Sequence, residues 1–481
     1  MRIVVVGAGR VGFSLCQRLI QENHEVSLIE ADEERARHAS NRLDCLVVHN
    51  EGNSINTLEE AGIAKAEALV CVTDSDELNM IICGLAASRY PQLVKVARVR
   101  NGEYARFYHG GEPSVLGIDH FIHPDVEAAR WVLNAVDRGA MGDVLAFPGT
   151  SYELSSVDIA ARSPLDGLSL INYRKLHPGD SLVTLVERRE EIFLPSGATT
   201  LAAGDRIHIF ARGEETGAVF KLAGQSGPAP RKIGIVGGSQ IGSLIAEGLL
   251  YPERQEKDLA EPFNIPEKRK GIFSFLKNLK PKSLRRIIII EQDYNLCKEL
   301  SARFPEALVL NEDISDESFV AEERINNLDL IITATNHQEL NIITAVYLKS
   351  RGVRRAIALV SGTGYGIIAR QLGVNVVLPM GQVVVDSILS RLIGGGVRGV
   401  HRIGDGSIGI FELEISAEAP VAGQPITGFH LSSGGLLMLA NRAGNSFIPR
   451  GDYVFQPQDH VIVIAKNGSE KEIEKLFGVN L

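Results

Sequence analysis

Short aliphatic runs alternate with amphipathic helical patterns in the first part of the chain. Runs that suit buried strands occupy residues 3–6, 25–29, 45–48, 68–72, 94–99 and 121–122. Helical patterns occupy residues 11–21, 33–42, 55–61, 78–88 and 105–110. Strands and helices that alternate at these lengths are typical of a doubly wound parallel sheet. The pattern therefore predicts a Rossmann-like α/β domain.

A different pattern follows this domain. Residues 152–211 contain short alternating stretches separated by Gly, Pro and Asp, and they lack a long helical pattern. Such a segment predicts a small, β-rich α+β domain.

Both patterns occur twice. IVVVGAGRVG at 3–12 matches IGIVGGSQIG at 233–242, and ALVCVTDSDELN at 68–79 matches LIITATNHQELN at 330–341. Residues 152–211 are likewise similar to residues 411–465. Matches in this order indicate a tandem duplication of a two-domain unit. We therefore predict two Rossmann-like doubly wound parallel-sheet domains, each followed by a small α+β domain.

The duplication also predicts the domain boundaries. They give a Rossmann-like domain at 1–140, an α+β domain at 141–222, a linker at 223–231, a second Rossmann-like domain at 232–400 with an insertion at 251–286, and a second α+β domain at 401–481. The second half of the insertion is basic and carries several apolar residues. It fits either an amphipathic helix on anionic lipid or a solvated loop.

The first glycine-rich turn predicts a nucleotide cradle. A strand leads into Gly7-Ala8-Gly9-Arg10-Val11-Gly12 and a helix follows. In this GxGxxG pattern the glycines allow a tight turn, a close approach of a pyrophosphate to the backbone, and close helix packing. Glu30, at the end of the next strand, is placed to accept hydrogen bonds from ribose and to repel a 2′-phosphate. NAD is therefore favoured over NADP.

The second turn is a weaker prediction. The equivalent residues are Gly237, Gly238, Ser239, Gln240, Ile241 and Gly242, with Glu291 at the acidic position. The side chain of Ser239 stands where Gly9 leaves the backbone bare, so it would crowd a pyrophosphate. Occupancy of this second cradle by a nucleotide is left open.

The overall composition limits the possible functions. The formal net charge is −9, which argues against binding of nucleic acid through a basic surface. None of the five cysteines forms a CxxC pair, so a metal site is not expected. No secretory signal is evident, and no apolar stretch has the roughly 20 residues that span a bilayer. We therefore expect a soluble protein.

Four segments resemble one family: VGAGRVG, AEALVCVTDSDELNM, VKVARVRNGEYA and IPRGDYVFQPQDHVIVIA. Together with the tandem order of domains, they resemble the TrkA family, the cytoplasmic regulatory proteins of bacterial Trk potassium uptake systems, which are built from RCK domains. The resemblance covers nearly the whole chain.

The resemblance implies which residues contact the nucleotide. Gly7, Ala8, Gly9, Arg10, Val11 and Glu30 would line the first site. Thr73 and Asp74 would face the nucleotide at the end of the fourth strand, and Arg98 would meet its phosphates, with help from Arg100. The alternative for both arginines is a solvated strand end. The places of Arg98 and Arg100 fall at Leu359 or Val360 and at Ser361 or Gly362 in the second copy, and Asn336 replaces Asp74.

The resemblance also implies partners and a location. It implies a homotetramer, a membrane-embedded potassium transporter subunit resembling TrkH, and a place on the inner face of the membrane through that transporter. The implied ligand is NAD or NADH, alternatively ATP or ADP. Residues 125–136 predict a helix with an apolar stripe around Trp131 that packs on a partner subunit or within its own domain.

Catalysis is not expected. Hydride transfer needs a substrate pocket and an acid or base beside the nicotinamide, and the α+β domains lack a recognisable pair of such residues. The alternatives are a nucleotide-sensing regulator of another cation channel or antiporter and, less favoured, an NAD-dependent oxidoreductase. His120 and His123, beside Asp119 and Asp125, form a weak metal motif that more often consists of ordinary surface side chains.

Overall fold

A computed structural model describes residues 1–21, 24–105, 115–140, 142, 144–147, 150–177, 179–189, 191–225, 230–252, 285–314, 316–392, 400–403, 407–432 and 434–479. They form two compact units. One contains Met1–Ala140 and Ala229–Leu392, and the other contains Met141–Pro228 and Ile393–Leu481. The two Rossmann-like segments thus share one unit, and the two α+β segments share the other.

The first Rossmann-like domain has a parallel sheet with the strand order β3-β2-β1-β4-β5-β6. Its strands are β1 (Arg2–Val6), β2 (Glu25–Glu30), β3 (Leu46–His49), β4 (Ala68–Cys71), β5 (Val94–Arg98) and β6 (His120–Ile122). Its helices are α1 (Arg10–Gln21), α2 (Glu33–Arg42), α3 (Ile55–Glu60), α4 (Asp76–Arg89), α5 (Gly102–Ala105) and α6 (Pro124–Asp137). The order 3-2-1-4-5-6 is that of dinucleotide-binding folds.

The second Rossmann-like domain repeats this sheet in the order β14-β13-β12-β15-β16-β17. Its strands are β12 (Lys232–Val236), β13 (Arg286–Glu291), β14 (Leu308–Asn311), β15 (Leu330–Thr333), β16 (Arg355–Val360) and β17 (Val376–Pro379). Its helices are α9 (Gln240–Leu250), α10 (Tyr294–Arg303), α11 (Glu317–Glu322), α12 (Gln338–Ser350), α13 (Thr363–Gln371) and α14 (Met380–Leu392).

The α+β domains each have a five-stranded antiparallel sheet, in the orders β10-β9-β11-β8-β7 and β18-β19-β22-β20-β21. The first contains β7 (Val144–Ala146), β8 (Tyr152–Asp158), α7 (Leu170–Leu176), β9 (Ser181–Arg188), β10 (Glu191–Phe193), β11 (Arg206–Arg212) and α8 (Gly213–Leu222). The second contains β18 (Val400–Ile403), β19 (Ile408–Glu414), β20 (Gly435–Arg442), β21 (Asn445–Phe447), β22 (His460–Lys466) and α15 (Glu470–Phe477).

The predicted fold class is confirmed, and most predicted elements differ from the observed ones by one or two residues. The helix predicted at 105–110 is described only as far as Ala105. The predicted insertion, 251–286, falls almost wholly outside the described residues, and Arg286 is already the first residue of β13. The domain boundaries themselves stay predictions.

The two Rossmann-like domains exchange their last helices. Helix α6 of the first domain packs on α9 of the second, and α14 of the second packs on α1 of the first and on α6. The apolar side of α6, including Val132 and Leu133, is buried in one core with Ile235 and Leu249. Its stripe therefore packs on the second Rossmann-like domain of the same chain, which is neither of the two expected surfaces, a partner subunit or the helix's own domain.

The α+β unit contains one duplicated polar anchor. Arg188 donates from Nε and Nη2 to the two carboxylate oxygens of Asp205, both at 2.7 Å. Arg442 and Asp459 repeat the pair at 2.7 and 2.6 Å. Each pair ties the end of the third strand of its domain, β9 or β20, to the turn before the last strand, β11 or β22.

Within the described residues, no helix combines the length and the apolar character that crossing a membrane requires.

Candidate nucleotide-binding site

The first glycine-rich turn has the backbone geometry that a phosphate cradle requires. Gly7 has φ of +104° and donates from its N–H to the carbonyl oxygen of Ile29 at 2.8 Å. A Cβ on Gly12 would lie 1.8 Å from the carbonyl oxygen of Gly7, so only glycine lets α1 start this close to the turn. A Cβ on Gly9 would meet nothing within 4 Å. The space beside Gly9 is therefore open for a ligand at the N-terminus of α1, where unpaired N–H groups favour an anion.

Glu30 fixes this turn from the next strand. Its Oε2 accepts the backbone N–H of Ala8 at 2.5 Å, and its Oε1 accepts the backbone N–H of Asp32 at 2.9 Å. The residue is 8% exposed. Each carboxylate oxygen can accept a further hydrogen bond. Glu30 can therefore order the cradle and still accept a hydroxyl from a ribose.

A buried asparagine orders the opposite side of the cradle. Asn79 Oδ1 accepts the N–H of Thr73 at 2.9 Å and its hydroxyl at 2.7 Å, and Asn79 Nδ2 donates to the carbonyl oxygen of Arg98 at 2.8 Å. The Thr73 side chain thus points to Asn79, whereas Asp74 borders the cleft. Sequence reasoning missed Asn79, although its repetition as Asn341 within the aligned segments was available as an indication.

The guanidinium group of Arg98 borders the cleft, and its hydrogen-bonding capacity is only partly used. Its side chain is 12% exposed, and its Nε is buried without a hydrogen-bond partner. Its Nη1 lies 3.7 Å from Asp74 Oδ1. Burial lowers the pKa of Arg98 from its ordinary value, and the nearby charge of Arg100 adds to this effect. An unused guanidinium N–H beside a glycine-rich turn suits a phosphate oxygen.

The second cradle repeats the backbone of the first. Gly237 has φ of +97°, and a Cβ on Gly242 would lie 1.9 Å from the carbonyl oxygen of Gly237. Glu291 accepts the backbone N–H groups of Gly238 at 2.7 Å and of Asp293 at 2.9 Å. The aligned acid therefore plays the same part in both copies. Ser239 is the N-cap residue of α9.

The charged side chains are not repeated. Asn341 Nδ2 donates to the carbonyl oxygen of Leu359 at 2.9 Å, so Leu359, and not Val360, matches Arg98. Ser361 matches Arg100, because its N–H bonds Gln338 as the N–H of Arg100 bonds Asp76. The second cradle therefore presents neutral groups where the first presents guanidinium groups.

One cleft of about 1480 Å³ runs between the two Rossmann-like domains. It is larger than the roughly 300–1,000 Å³ of typical small-molecule pockets. The predicted residues of the two turns and of the first site that border it are Ala8, Gly9, Arg10, Val11, Asp74, Arg98, Arg100 and Ile241. In the described part of the chain, Ile241 is therefore the only predicted residue of the second turn that borders this cleft. The turn of the first cradle thus borders the cleft, and the second domain contributes mainly its strand ends, including Asn336 and Leu359.

A contact from the first domain lies against the second turn. His123, the N-cap residue of α6, places its Nε2 3.3 Å from Nε2 of Gln240. Burial lowers the pKa of His123, so the neutral imidazole is favoured there. Pro379 stands at the equivalent junction of β17 and α14 and borders the cleft. Gln240 is nevertheless exposed, as is Arg10 at the equivalent position of the first turn.

The weak histidine motif is not assembled as a metal centre. Asp119 accepts the N–H of Lys95 at 2.7 Å and pairs with its ammonium group at 3.1 Å. Over the ranges that the structure describes, no group of three or more His, Cys, Asp or Glu side chains is placed to hold a metal ion.

Two family models match the chain. The TrkA-N domain model matches residues 3–124 and 273–379, and the TrkA-C domain model matches residues 154–224 and 410–478. Together these matches span well over half of the chain and follow the duplicated order.

Two relatives match over almost the whole length of both chains. The "Trk system potassium uptake protein TrkA" of Azorhizobium caulinodans is 27% identical over 490 residues, which covers 100% of this chain and 99% of that protein. The "Trk system potassium uptake protein TrkA homolog" of Archaeoglobus fulgidus is 27% identical over 482 residues, which covers 99% of this chain and 100% of that protein.

Solved structures share the fold. The "GsuK RCK domain" superposes with a TM-score of 0.53 at 16% identity, covering 99% of this chain and 95% of that chain. The "GsuK channel bound to NAD" gives a TM-score of 0.53 at 15% identity, covering 99% of this chain and 79% of that chain. At this identity the similarity establishes the RCK architecture of the chain.

Proposed function

The chain belongs to the TrkA family, and from this premise we propose that it is a nucleotide-binding regulatory subunit that gates a Trk-type potassium uptake transporter. The observation that carries the proposal is the first cradle. There the open space beside Gly9 and the under-satisfied guanidinium of Arg98 face one cleft, and the carboxylate of Glu30 holds the turn from behind through the N–H of Ala8. This arrangement suits a ligand with a ribose and phosphates.

The ligand is an adenine nucleotide, NAD or NADH, with ATP or ADP as the alternative. Glu30 accepts ribose hydroxyls, and its charge repels a 2′-phosphate, so NADP is disfavoured. The phosphates lie at the N-terminus of α1, where Gly9 leaves them room.

Regulation follows from the position of the cleft between two domains. A ligand in the first cradle borders residues of the second domain, such as Gly381 and Gln382 at the start of α14. A ligand that contacts both domains favours the domain arrangement in which it makes more contacts. Binding therefore shifts the equilibrium between arrangements, and this shift can be transmitted to a partner protein. The exchanged helices α6 and α14 carry the change between the domains.

We further propose the assembly and its location. The protein forms a homotetramer on the cytoplasmic face of the membrane and docks on a transporter subunit resembling TrkH. It binds no nucleic acid, which agrees with its net charge of −9. It performs no chemistry on the bound nucleotide.

The test is transport by a reconstituted system. The purified protein and the membrane subunit are placed in lipid vesicles, and uptake of rubidium is followed with and without NAD, NADH, ATP or ADP. We expect at least one nucleotide to change the uptake rate severalfold, and Gly9→Asp to abolish that response. Uptake that is the same with and without each nucleotide would contradict the proposal. Vesicles with the membrane subunit alone are the control.

A further inference from the structure

Three arginine side chains converge on the carboxylate of Asp74. Arg100 Nη2 and Arg98 Nη1 lie 3.3 and 3.7 Å from its Oδ1, and Arg35 Nη1 lies 3.9 Å from its Oδ2. Arg35 comes from the first turn of α2, Arg98 is the last residue of β5, and Arg100 follows it. Since β2 and β5 lie on opposite sides of β1, the cluster spans the mouth of the first cradle.

The fold of the cradle does not need this cluster. The second cradle has the same backbone hydrogen bonds, but Leu296, Leu359 and Ser361 stand at the three arginine positions and Asn336 stands at the position of Asp74. A purely structural cluster would be expected in both copies. The charged side chains therefore serve to bind the ligand of the first cradle.

The cluster leaves donor capacity for an anion. The Nε of Arg98 is buried without a partner. The carboxylate of Asp76 is already bonded to the backbone N–H groups of Arg100 and Asn101, at 2.8 and 2.7 Å. Burial raises the pKa of nearby Asp125, which disfavours its charged form. Asp74 is thus the most exposed acid of the cluster and is placed where an incoming phosphate would be bound.

We propose, on the basis of the nucleotide-binding function above, that Asp74 sets which adenine nucleotide the first cradle prefers. The terminal phosphate of ATP is attracted to the three arginines that surround this carboxylate. There the negative charges of the phosphate and of Asp74 repel each other. The second ribose of NAD instead presents hydroxyl groups, which donate to a carboxylate. Asp74 therefore favours the dinucleotide and disfavours the triphosphate.

The variant Asp74→Asn tests this directly. It removes the charge and keeps the size of a side chain that is 73% exposed, so the fold is retained. Calorimetric titrations with ATP and with NAD give the ratio of their dissociation constants. We expect the ratio to move toward ATP by about tenfold or more, because a like charge close to the phosphate has been removed.

Two further variants separate the charge effect from others. Asn336→Asp adds a carboxylate at the second cradle, where Leu296, Leu359 and Ser361 stand in place of the arginines, and should change the ratio by less than about twofold. In the Asp74→Asn background, Arg35→Gln should weaken ATP more than NAD. An unchanged ratio in Asp74→Asn, with both nucleotides bound by the wild type, overturns the role of Asp74 and leaves the proposed function standing. A wild type that binds neither ATP nor NAD overturns the role of Asp74, and one that binds none of NAD, NADH, ATP and ADP overturns the proposed function as well.

Discussion

Asn79 donates from Nδ2 to the carbonyl oxygen of Arg98 at 2.8 Å. The amide of a fully buried helix residue thereby fixes the end of β5, the strand that carries the buried guanidinium of the cleft. Asn341 holds the carbonyl oxygen of Leu359 in the same way at 2.9 Å. The same scaffold thus supports a charged cradle in one domain and a neutral one in the other.

Replacing this asparagine should separate folding from binding. Asn79→Ala leaves the N–H of Thr73 and the carbonyl of Arg98 without their partner, which should lower the free energy of unfolding by about 2–4 kcal/mol. Asn341→Ala should cost a similar amount. Nucleotide affinity should fall about tenfold in Asn79→Ala alone, because only that strand end carries Arg98. Urea unfolding and calorimetry measure the two effects, and equal losses of affinity in both variants would contradict the assignment to the first cradle.

The contact between the exchanged helices can be tested through a buried glycine. A Cβ on Gly248 of α9 would lie 2.3 Å from Cδ1 of Leu133 on α6. Gly248→Ala should therefore destabilise the protein by about 1–2 kcal/mol, even though alanine favours helix. Gly217→Ala in α8 is the matched control, since a Cβ there meets nothing within 4 Å, and it should stabilise by about 0.5–1 kcal/mol. Thermal unfolding measures the stability of both variants. Equal changes in the two midpoint temperatures would argue against tight packing of α6 on α9.

The duplicated Arg–Asp pairs predict loss of stability in acid. Burial opposes ionisation of Asp205, but hydrogen bonds from Arg188 and from the N–H of Ala202 outweigh it and lower its pKa. The same balance lowers the pKa of Asp459 beside Arg442. A lowered folded-state pKa means that the contribution to stability is complete above the unfolded pKa of about 3.9 and is lost as the pH falls below it.

We therefore expect the unfolding free energy of the α+β unit to fall steeply below about pH 4. Asp205→Asn should cost about 1–2 kcal/mol at neutral pH, because the Arg188 partner is 40% exposed to solvent, and should flatten this dependence. Denaturant unfolding at several pH values measures how the unfolding free energy of the wild type and of the variant depends on pH. A variant with the slope of the wild type would show that other carboxylates carry the effect.

The geometry of the glycine-rich turn could be predicted from the sequence because the turn and its acid are local patterns. Gly7, Gly12 and Glu30 each act through backbone positions that the strand-turn-helix pattern already implies. The duplication then gave the second sheet and Glu291 without further information, because aligned residues make the same hydrogen bonds.

The remaining features depend on contacts between distant segments. The stripe around Trp131 predicted an apolar contact, but periodicity cannot say which surface covers a helix, and the second domain of the same chain does so. Arg35 lies far along the chain from Asp74, so their pairing appears only once β2 and β4 flank β1. The alignment of Arg98 with Leu359 likewise became clear only from the hydrogen bonds that Asn79 and Asn341 donate to their carbonyl oxygens.

The central claim is that the first cradle is the nucleotide sensor, and calorimetric titration of two matched variants with the best-binding nucleotide tests it most directly. Gly9→Asp places a carboxylate in the open space at the N-terminus of α1, and Ser239→Asp does the same at α9. Aspartate is favourable at an N-cap, so both variants should fold. The account predicts that Gly9→Asp abolishes high-affinity binding and that Ser239→Asp retains it. Full-stoichiometry binding by Gly9→Asp together with its loss in Ser239→Asp would contradict the account and assign sensing to the second cradle.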